Sequence, residues 1–220
     1  MEKLIPNTNL RDRVYDVLKD MIVLREFAPG EKINEETIAK QTGVSRTPIR
    51  EALCRLENEN IIKLIPRRGA FVLKQSEDTV REVLEVREVL EGLVTRLATL
   101  LIDDLTIQKL NRCLEKTKPV PDTKQNLMKF TQADIRFHSI LLDACQNRML
   151  QNMMETVNTH LQIIRLRTVV LPGRAKKTVD EHFGILKVIE AGDSQQAEIC
   201  MRKHIESVRA DAIEHIDRME

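Results

Sequence analysis

The chain predicts a mainly α-helical protein in two parts, a small helical unit closed by a β-hairpin and then an antiparallel all-helical bundle. Three observations predict it. Only 7 Gly and 7 Pro punctuate 220 residues, and the 42% hydrophobic content rests on Leu, Ile, Val, Met and Ala, with 3% aromatic residues and no Trp. Apolar residues recur at three- and four-residue spacing through most of the chain. Strand-like apolar runs are confined to residues 61–73, on either side of the turn signal PRRG at 66–69.

The first part, residues 1–75, opens with LRDRVYDVLKDMIVL at 10–24, apolar at 10, 14, 17, 18, 21 and 24, a helical stripe. FAPG at 27–30 ends it, and GEKI at 30–33 reads as a short extended piece. Asn34 is placed to cap a second helix, with Glu35 and Glu36 in its first turn and Ile38 and Ala39 facing inward. That helix stops at Gly43. Ser45 is placed to cap the third, and Pro48 fits its first turn because early N–H groups lack helical partners. Ile49, Ala52, Leu53, Leu56 and Asn60 follow one face, while Thr47, Arg50, Glu51 and Cys54 fall away from it. IIKLI at 61–65 and AFVL at 70–73 read as two strands joined at PRRG.

Helix, short helix, tight turn, helix and basic hairpin make a winged helix-turn-helix layout. In such a unit the last helix presents its N-terminal residues to base edges in the major groove. Arg46, Thr47 and Arg50 crowd that end, where the macrodipole favours anions rather than cations. Arginine can bond two guanine acceptors, and threonine can reach base or phosphate. Arg67 and Arg68 at the hairpin tip, beside Gly69, suit a phosphate or minor-groove contact. A single basic helix would read as an ordinary solvated face. Here turn, cap, basic helix front and basic wing agree on DNA. Bulk charge does not decide it: residues 1–75 carry 14 Lys and Arg against 11 Asp and Glu, and the rest 21 against 23.

GVSRTPIREALCRLENENIIKLIPRRGAFV resembles the DNA-binding domain of the GntR family of bacterial transcription regulators, over about residues 8–74. The resemblance implies that Arg46, Thr47, Arg50, Arg68 and Gly69 touch DNA, and that Ser45 caps the recognition helix and reaches a phosphate. The acidic start of the preceding helix, Glu35 and Glu36, is assigned no DNA contact.

Residues 76–220 show no strand pattern. Breakers divide them into six helical stretches near 77–101, 104–117, 123–146, 148–170, 175–191 and 194–218, joined at Asp103, residues 119–121, 146–147, 171–173 and 191–193. Short joins imply antiparallel neighbours, hence a bundle. Polar residues interrupt its apolar stripes. Leu127, Phe130, Asp134, Phe137, His138, Leu141 and Cys145 share a face, so Asp134 and His138, four apart, can converge on one point. His182 lies with Val179, Leu186 and Ile189, and His204 with Ala197, Val208 and His215. His182 and His204 each stand eleven residues from Asp193, so a symmetric antiparallel hairpin sets them at one height.

Three histidines and a carboxylate suit Zn²⁺ or a related transition metal. Hydrogen-bonded core histidines would give the same spacing, so both readings stand. His160 and His215, without matched partners, read as ordinary, partly exposed side chains. Arg87 interrupts an inward stripe of Val83, Leu90, Val94, Leu97 and Leu101. A buried arginine needs an anion: either a structural pair with Glu91 one turn on, or a ligand carboxylate held bidentately. Asn158 and Arg165 could line the same cavity.

VREVLEG at 86–92, ADIRFHSILLDACQN at 133–147 and EHFGILKVIEAGDSQQAEICMRKHI at 181–205 resemble the FCD ligand-binding domain of the FadR branch of that family. The resemblance implies a metal held by Asp134, His138, His182 and His204, inside a cavity where a small organic acid completes its coordination and meets Arg87. It also implies a homodimer formed through the bundle, reading a two-fold operator with half-sites about one helical turn apart, with repression as the usual sign.

No apolar run reaches about 18 residues, so no membrane span is expected, and MEKLIPNTNL lacks a signal-peptide apolar segment. Cys54, Cys113, Cys145 and Cys200 form no CxxC, as in a reducing compartment. The expectation is a cytoplasmic, metabolite-responsive regulator. It is not an enzyme, and it binds double-stranded DNA, a small acid and one divalent metal: Zn²⁺ first, with Ni²⁺, Mn²⁺ or Fe²⁺ as alternatives. A metal-sensing regulator is the runner-up, and a metalloenzyme fused to a DNA reader the third reading.

Overall fold

The computed structural model describes residues 10–23, 26–74, 76–117 and 124–216. These fall into two compact units that divide at residues 75 and 76. Leu24, Gln75 and the join at 119–121 lie outside the described residues. The fold is mainly helical with one small antiparallel sheet as the wing.

The first unit contains α1 (Leu10–Val23), β1 (Lys32–Ile33), α2 (Glu35–Thr42), α3 (Arg46–Asn58), β2 (Ile62–Ile65) and β3 (Gly69–Val72). Val14, Tyr15, Leu18 and Ile22 of α1 are buried with Ile49, Ala52, Leu53 and Leu56 of α3 and Ile38 of α2. The buried face is thus turned from the predicted stripe, keeping Val14 and Leu18, gaining Tyr15 and Ile22, and leaving Val17 44% exposed. The Asn34 Oδ1 accepts the N–H groups of Glu36 and Thr37 at 2.9 and 3.3 Å, fixing the start of α2. Gly43, at φ 68°, ends it in the left-handed region that glycine enters without a Cβ penalty.

Ser45 departs from expectation. It stands at the N-cap position of α3, yet its side chain makes no capping hydrogen bond. Pro48 occupies the third helical position and has no N–H, so the usual donor to a capping hydroxyl is missing. The extended piece at 32–33 joins the hairpin as a third strand, in the order β1-β3-β2. Pairing of Ile65 with Gly69 leaves residues 66–68 as the tip, with Arg67 at φ 61°. Behind the wing, the Tyr15 hydroxyl donates to Glu59 at 2.7 Å, Lys19 donates to the same carboxylate at 2.8 Å, and the Arg55 guanidinium lies 3.7 Å from the Tyr15 ring centre. This polar knot ties α1 to the end of α3.

The second unit contains α4 (Glu77–Leu101), α5 (Asp104–Glu115), α6 (Lys124–Ala144), α7 (Arg148–Thr168), α8 (Arg174–Glu190) and α9 (Ser194–Glu214). Side chains of Ser76, Asp103, Asn147 and Asp193 cap four of them. α4 packs along α9 and against α6 and α7, and α8 against α9. Leu84, Val94, Ala98, Phe137, Leu141, Leu161, Leu186, Met201 and Ile205 fill the core between them.

The inward line of α4 differs from the expected one. Val80, Leu84, Arg87, Glu91, Val94, Thr95 and Ala98 are buried; Val83, Leu90 and Leu97 sit at the margin, and Leu101 is 51% exposed. Apolar periodicity shifts the predicted stripe because the true centre of the face is a charged pair. Gly92 lets α4 approach α9 closely: a Cβ there would come within 2.7 Å of Arg202 Cγ. Gly92→Ala is expected to overpack this contact and destabilise the fold by about 1–3 kcal/mol, read as a lowered urea midpoint at unchanged slope.

Candidate nucleic-acid interface and candidate metal centre

The tight α2–α3 turn and the wing bring the predicted basic residues together. Arg46 and Arg50 from α3, with Arg67, Arg68 and Gly69 from the hairpin tip, line one groove of about 310 Å³. Lys32 adds a fifth cation, and two carboxylates, Glu35 and Glu36, share the groove. Arg46 and Arg50 are more than half exposed. Thr47 and Ser45 are exposed on the same helix front. Arg50 Nε donates to Glu35 Oε2 at 2.9 Å, while Arg46 Nη2 lies 3.8 Å from Glu36 Oε2. These two acids, expected in the first turn of α2 and assigned no DNA contact, therefore offset the repulsion between the arginines and the positive end of α3. Four guanidinium groups on one surface offer paired N–H donors, the geometry that phosphate and guanine accept.

In the bundle, α6, α8 and α9 bring His138, His182 and His204 into one cluster. Each is 4% exposed or less, and one ring nitrogen of each lies within 4.8 Å of one from each of the others. The Nε2 atoms of His182 and His204 are 3.2 Å apart. Two nitrogen ligands of one ion with bonds of about 2.0–2.1 Å stand roughly 2.9–3.4 Å apart at bond angles of about 90–110°. Asp134 Oδ1 lies 3.7 Å from His182 Nε2, and the Nε2 of His138 is buried with no hydrogen-bond partner. A borderline-soft divalent ion fits the three nitrogens. Asp134, close to His182, stands outside the group whose ligand atoms all lie within 4.8 Å of one another.

Each end of the cluster is backed by a carboxylate. Glu91 Oε2 meets His138 Nδ1 at 2.9 Å and Glu181 Oε2 meets His204 Nδ1 at 2.7 Å. Glu91 also accepts from Arg87 Nε at 3.2 Å, so the structural pairing expected for Arg87 is present. Burial disfavours the Glu91 carboxylate, but His138 and Arg87 outweigh it and hold its pKa far below the usual range. Arg87 still leaves Nη2 unpartnered and buried.

That nitrogen belongs to the wall of a cavity of about 30 Å³, lined also by Asp134, Arg165, Arg174 and His204. Arg165 Nε is likewise buried without a partner, and burial, with the like charge of Arg87, pushes its pKa down to about 10. Asn158 is not among the residues lining the cavity; its Oδ1 accepts from Arg165 Nη2 at 3.1 Å. His160 is exposed on α7, and His215, partly exposed, meets the Asp211 carbonyl at the end of α9. Arg174 and Glu181 had no predicted place in a site, and Glu91 was expected only as the structural partner of Arg87. For Glu91 the signal was its i, i+4 spacing from Arg87. Arg174 gave none, because it directly follows the LPG breaker and lies outside any apolar stripe.

Comparison with known proteins places these geometries. Residues 10–72 match the bacterial regulatory proteins of the gntR family, and residues 82–207 the FCD domain. The uncharacterised HTH-type transcriptional regulator YdhC of Bacillus subtilis (strain 168) is 32% identical over 183 residues, 83% of this chain and 82% of that one. The HTH-type transcriptional repressor RspR of Escherichia coli (strain K12) is 25% identical over 206 residues, 94% and 90% of the two chains. Among solved structures, E. coli McbR/YncC superposes with a TM-score of 0.67 at 20% identity, over 90% of this chain and 94% of that one, and shares the fold.

Burial, then the charges on His204 and His138, hold the His182 pKa well below 6.5, and burial lowers that of His204 despite Glu181. Between the folded and unfolded values the unfolded chain binds protons that the folded chain refuses. Metal-free protein should therefore keep this share of stability above about pH 6.5 and lose up to about 1.4 kcal/mol per pH unit per histidine below it. Melting midpoints measured downward from about pH 7.5 check this, and His182→Gln should flatten the slope.

Proposed function

The chain belongs to the bacterial GntR family of transcription regulators, with an FCD domain behind its DNA reader, and on that footing we propose that it switches operator binding in response to a small organic acid sensed beside a bundle-bound metal ion. The relatives are regulators rather than enzymes. In this reading it acts as a cytoplasmic homodimer on a palindromic operator, with half-sites about one turn apart. Repression is the sign the reading adopts, as in the E. coli relative named a repressor.

One observation carries the effector reading: the cavity holds two buried guanidinium N–H groups without acceptors, Arg87 Nη2 and Arg165 Nε. An unsatisfied buried donor costs about 1–3 kcal/mol, more when charged, and a ligand carboxylate would recover that cost. Arg174, already bonded to Glu181, Ser207 and Asp211, is a third cation on the wall. A cavity of about 30 Å³ is room for one or two waters, so an acid has to part the helices that line it. That parting supplies the difference in acid affinity between two arrangements that a switch requires.

Asp134, His138, His182 and His204 would hold the ion, with Zn²⁺ preferred for the nitrogen-rich donor set and Ni²⁺, Mn²⁺ or Fe²⁺ as the alternatives. Once bound, it supplies a positive centre toward which a carboxylate can turn. Arg87 and Arg165 supply direction, since their planar donors fix the orientation of the carboxylate. On the DNA unit, Arg46, Thr47 and Arg50 would face base edges and phosphates in the major groove, with Ser45 beside them. Arg67, Arg68 and Gly69 would bring the wing to the backbone or minor groove.

Three measurements test this. Arg50→Ala should weaken operator binding by about tenfold or more for a lost bidentate contact, while dimer and metal content stay intact; unchanged binding sinks its reading role. His204→Ala should strip the metal without unfolding the bundle, and full metal retention would refute the ligand set. Operator affinity measured after metal removal, after restoration, and then with candidate acids separates the classes. A switch by metal alone makes the protein a metal sensor, and a switch that needs an acid supports the present reading.

A further inference from the structure

Two carboxylates stand behind the histidine cluster, each bridging an arginine of the cavity wall to a ring nitrogen that faces away from the cluster. On α4, Glu91 takes Arg87 Nε on Oε1 and His138 Nδ1 on Oε2. On α8, Glu181 takes both Arg174 Nη2 and His204 Nδ1 on Oε2, while Oε1 accepts from the Ser207 hydroxyl. Arg87 and Arg174 both line the cavity. The bundle thus contains two Arg–Glu–His relays, assembled from different helices and ending on two rings of one cluster.

From this juxtaposition we infer that Glu91 and Glu181 are positioning residues for the metal, and that Arg87 and Arg174 hold them in that role. The inference rests on the metal reading above. A carboxylate held by a guanidinium is ionised and can only accept, so the nitrogen facing it must carry the proton. His138 and His204 are thereby committed to their Nδ1–H forms, which turns an Nε2 lone pair toward the cluster. Metal ligation needs that lone pair.

His182 is the ring that differs. With His204 Nε2 serving as acceptor, the 3.2 Å contact between the two Nε2 atoms requires the proton to sit on His182. An arriving ion requires that one proton to pass from Nε2 to Nδ1 of the same ring, leaving it neutral with a free Nε2 lone pair, and the other two rings are already set. The bland alternative is that each glutamate is only a counter-ion for its arginine, a role that would affect stability and leave metal affinity untouched.

Substitution separates the two. At Glu91 the glutamine amide is nearly isosteric, but it must present its NH₂ to one of two partners that are both donors. Turned toward the histidine, it needs an acceptor at Nδ1 and drives the ring proton to Nε2, where it blocks the metal. Turned toward the arginine, it sets two donors against each other and loosens the relay. At Glu181 an amide oxygen could keep both Arg174 and His204 with its NH₂ turned to the Ser207 hydroxyl, so leucine, which removes the acceptor, is used there.

The test uses the full chain carrying ¹⁵N-labelled histidine, stripped of metal, with two readouts: ring tautomers from long-range ¹H–¹⁵N spectra, and Zn²⁺ affinity by competition with a chromogenic chelator. Wild type is expected to show Nδ1–H at His138 and His204. Glu91→Gln should disturb His138 alone, and Glu181→Leu His204 alone. Each should weaken Zn²⁺ binding about 10- to 100-fold. Glu198→Gln, a control at an acid paired with Arg96 and Arg202, should change neither.

Variants at Glu91 and Glu181 that melt earlier yet keep their tautomers, and bind Zn²⁺ within about threefold of wild type, would reduce both glutamates to counter-ions and overturn the inference. Should Glu91→Gln not fold, Glu181→Leu, at a carboxylate about one-fifth exposed, decides the matter by itself. A wild-type chain that takes up none of Zn²⁺, Ni²⁺ or Mn²⁺ sinks the metal reading and this inference with it.

Discussion

The bundle depends on how it keeps the Glu91 carboxylate ionised where water does not reach. Glu91 and Arg87 are each 2% exposed or less, and removing one partner from such a pair costs about 3–5 kcal/mol because the other charge remains buried. Neither oxygen of Glu91 is idle: one holds Arg87 and the other His138. The orientation of the ring and the direction of the guanidinium follow from that sharing. An apolar pair of the same volume often packs as stably; what the charged centre visibly does is orient the His138 ring and the Arg87 guanidinium.

The same economy appears on the DNA unit in a different form. Cations at the start of α3 oppose the helix dipole, and Pro48 removes the N–H that a Ser45 cap would use. Two carboxylates in the first turn of α2 face them across the tight turn, with Arg50 hydrogen-bonded to Glu35 and Arg46 more loosely paired to Glu36. Both pairs are at the surface, where each contributes about 0–1 kcal/mol. They can therefore be exchanged for phosphate contacts without disturbing the core formed by Leu18, Ile38, Ile49 and Leu56.

Legibility differed between the two units for a physical reason. In the first, function lies in contiguous sequence: turn, proline, arginines and wing span residues 43–69, and local rules of capping and turn geometry suffice to read them. In the bundle, the histidine set could be reached because equal distance from one turn is a local property of a hairpin. Arg174 could not, since its partners Glu181, Ser207 and Asp211 come together only when α8 and α9 pack. The inward line of α4 was misplaced because apolar periodicity has no term for a buried ion pair.

By itself the sequence determined the order of elements, the two-part organisation it predicts, the basic helix front and wing, and the family, because these follow from residue type and short-range spacing. Tertiary structure alone decided which polar atoms are satisfied and which are left over. Arg87 Nη2 and Arg165 Nε, on residues that line one cavity, and His138 Nε2 in the histidine cluster are unpartnered because of where several helices meet, and no spacing rule along one chain segment can count the donors and acceptors that several segments bring together.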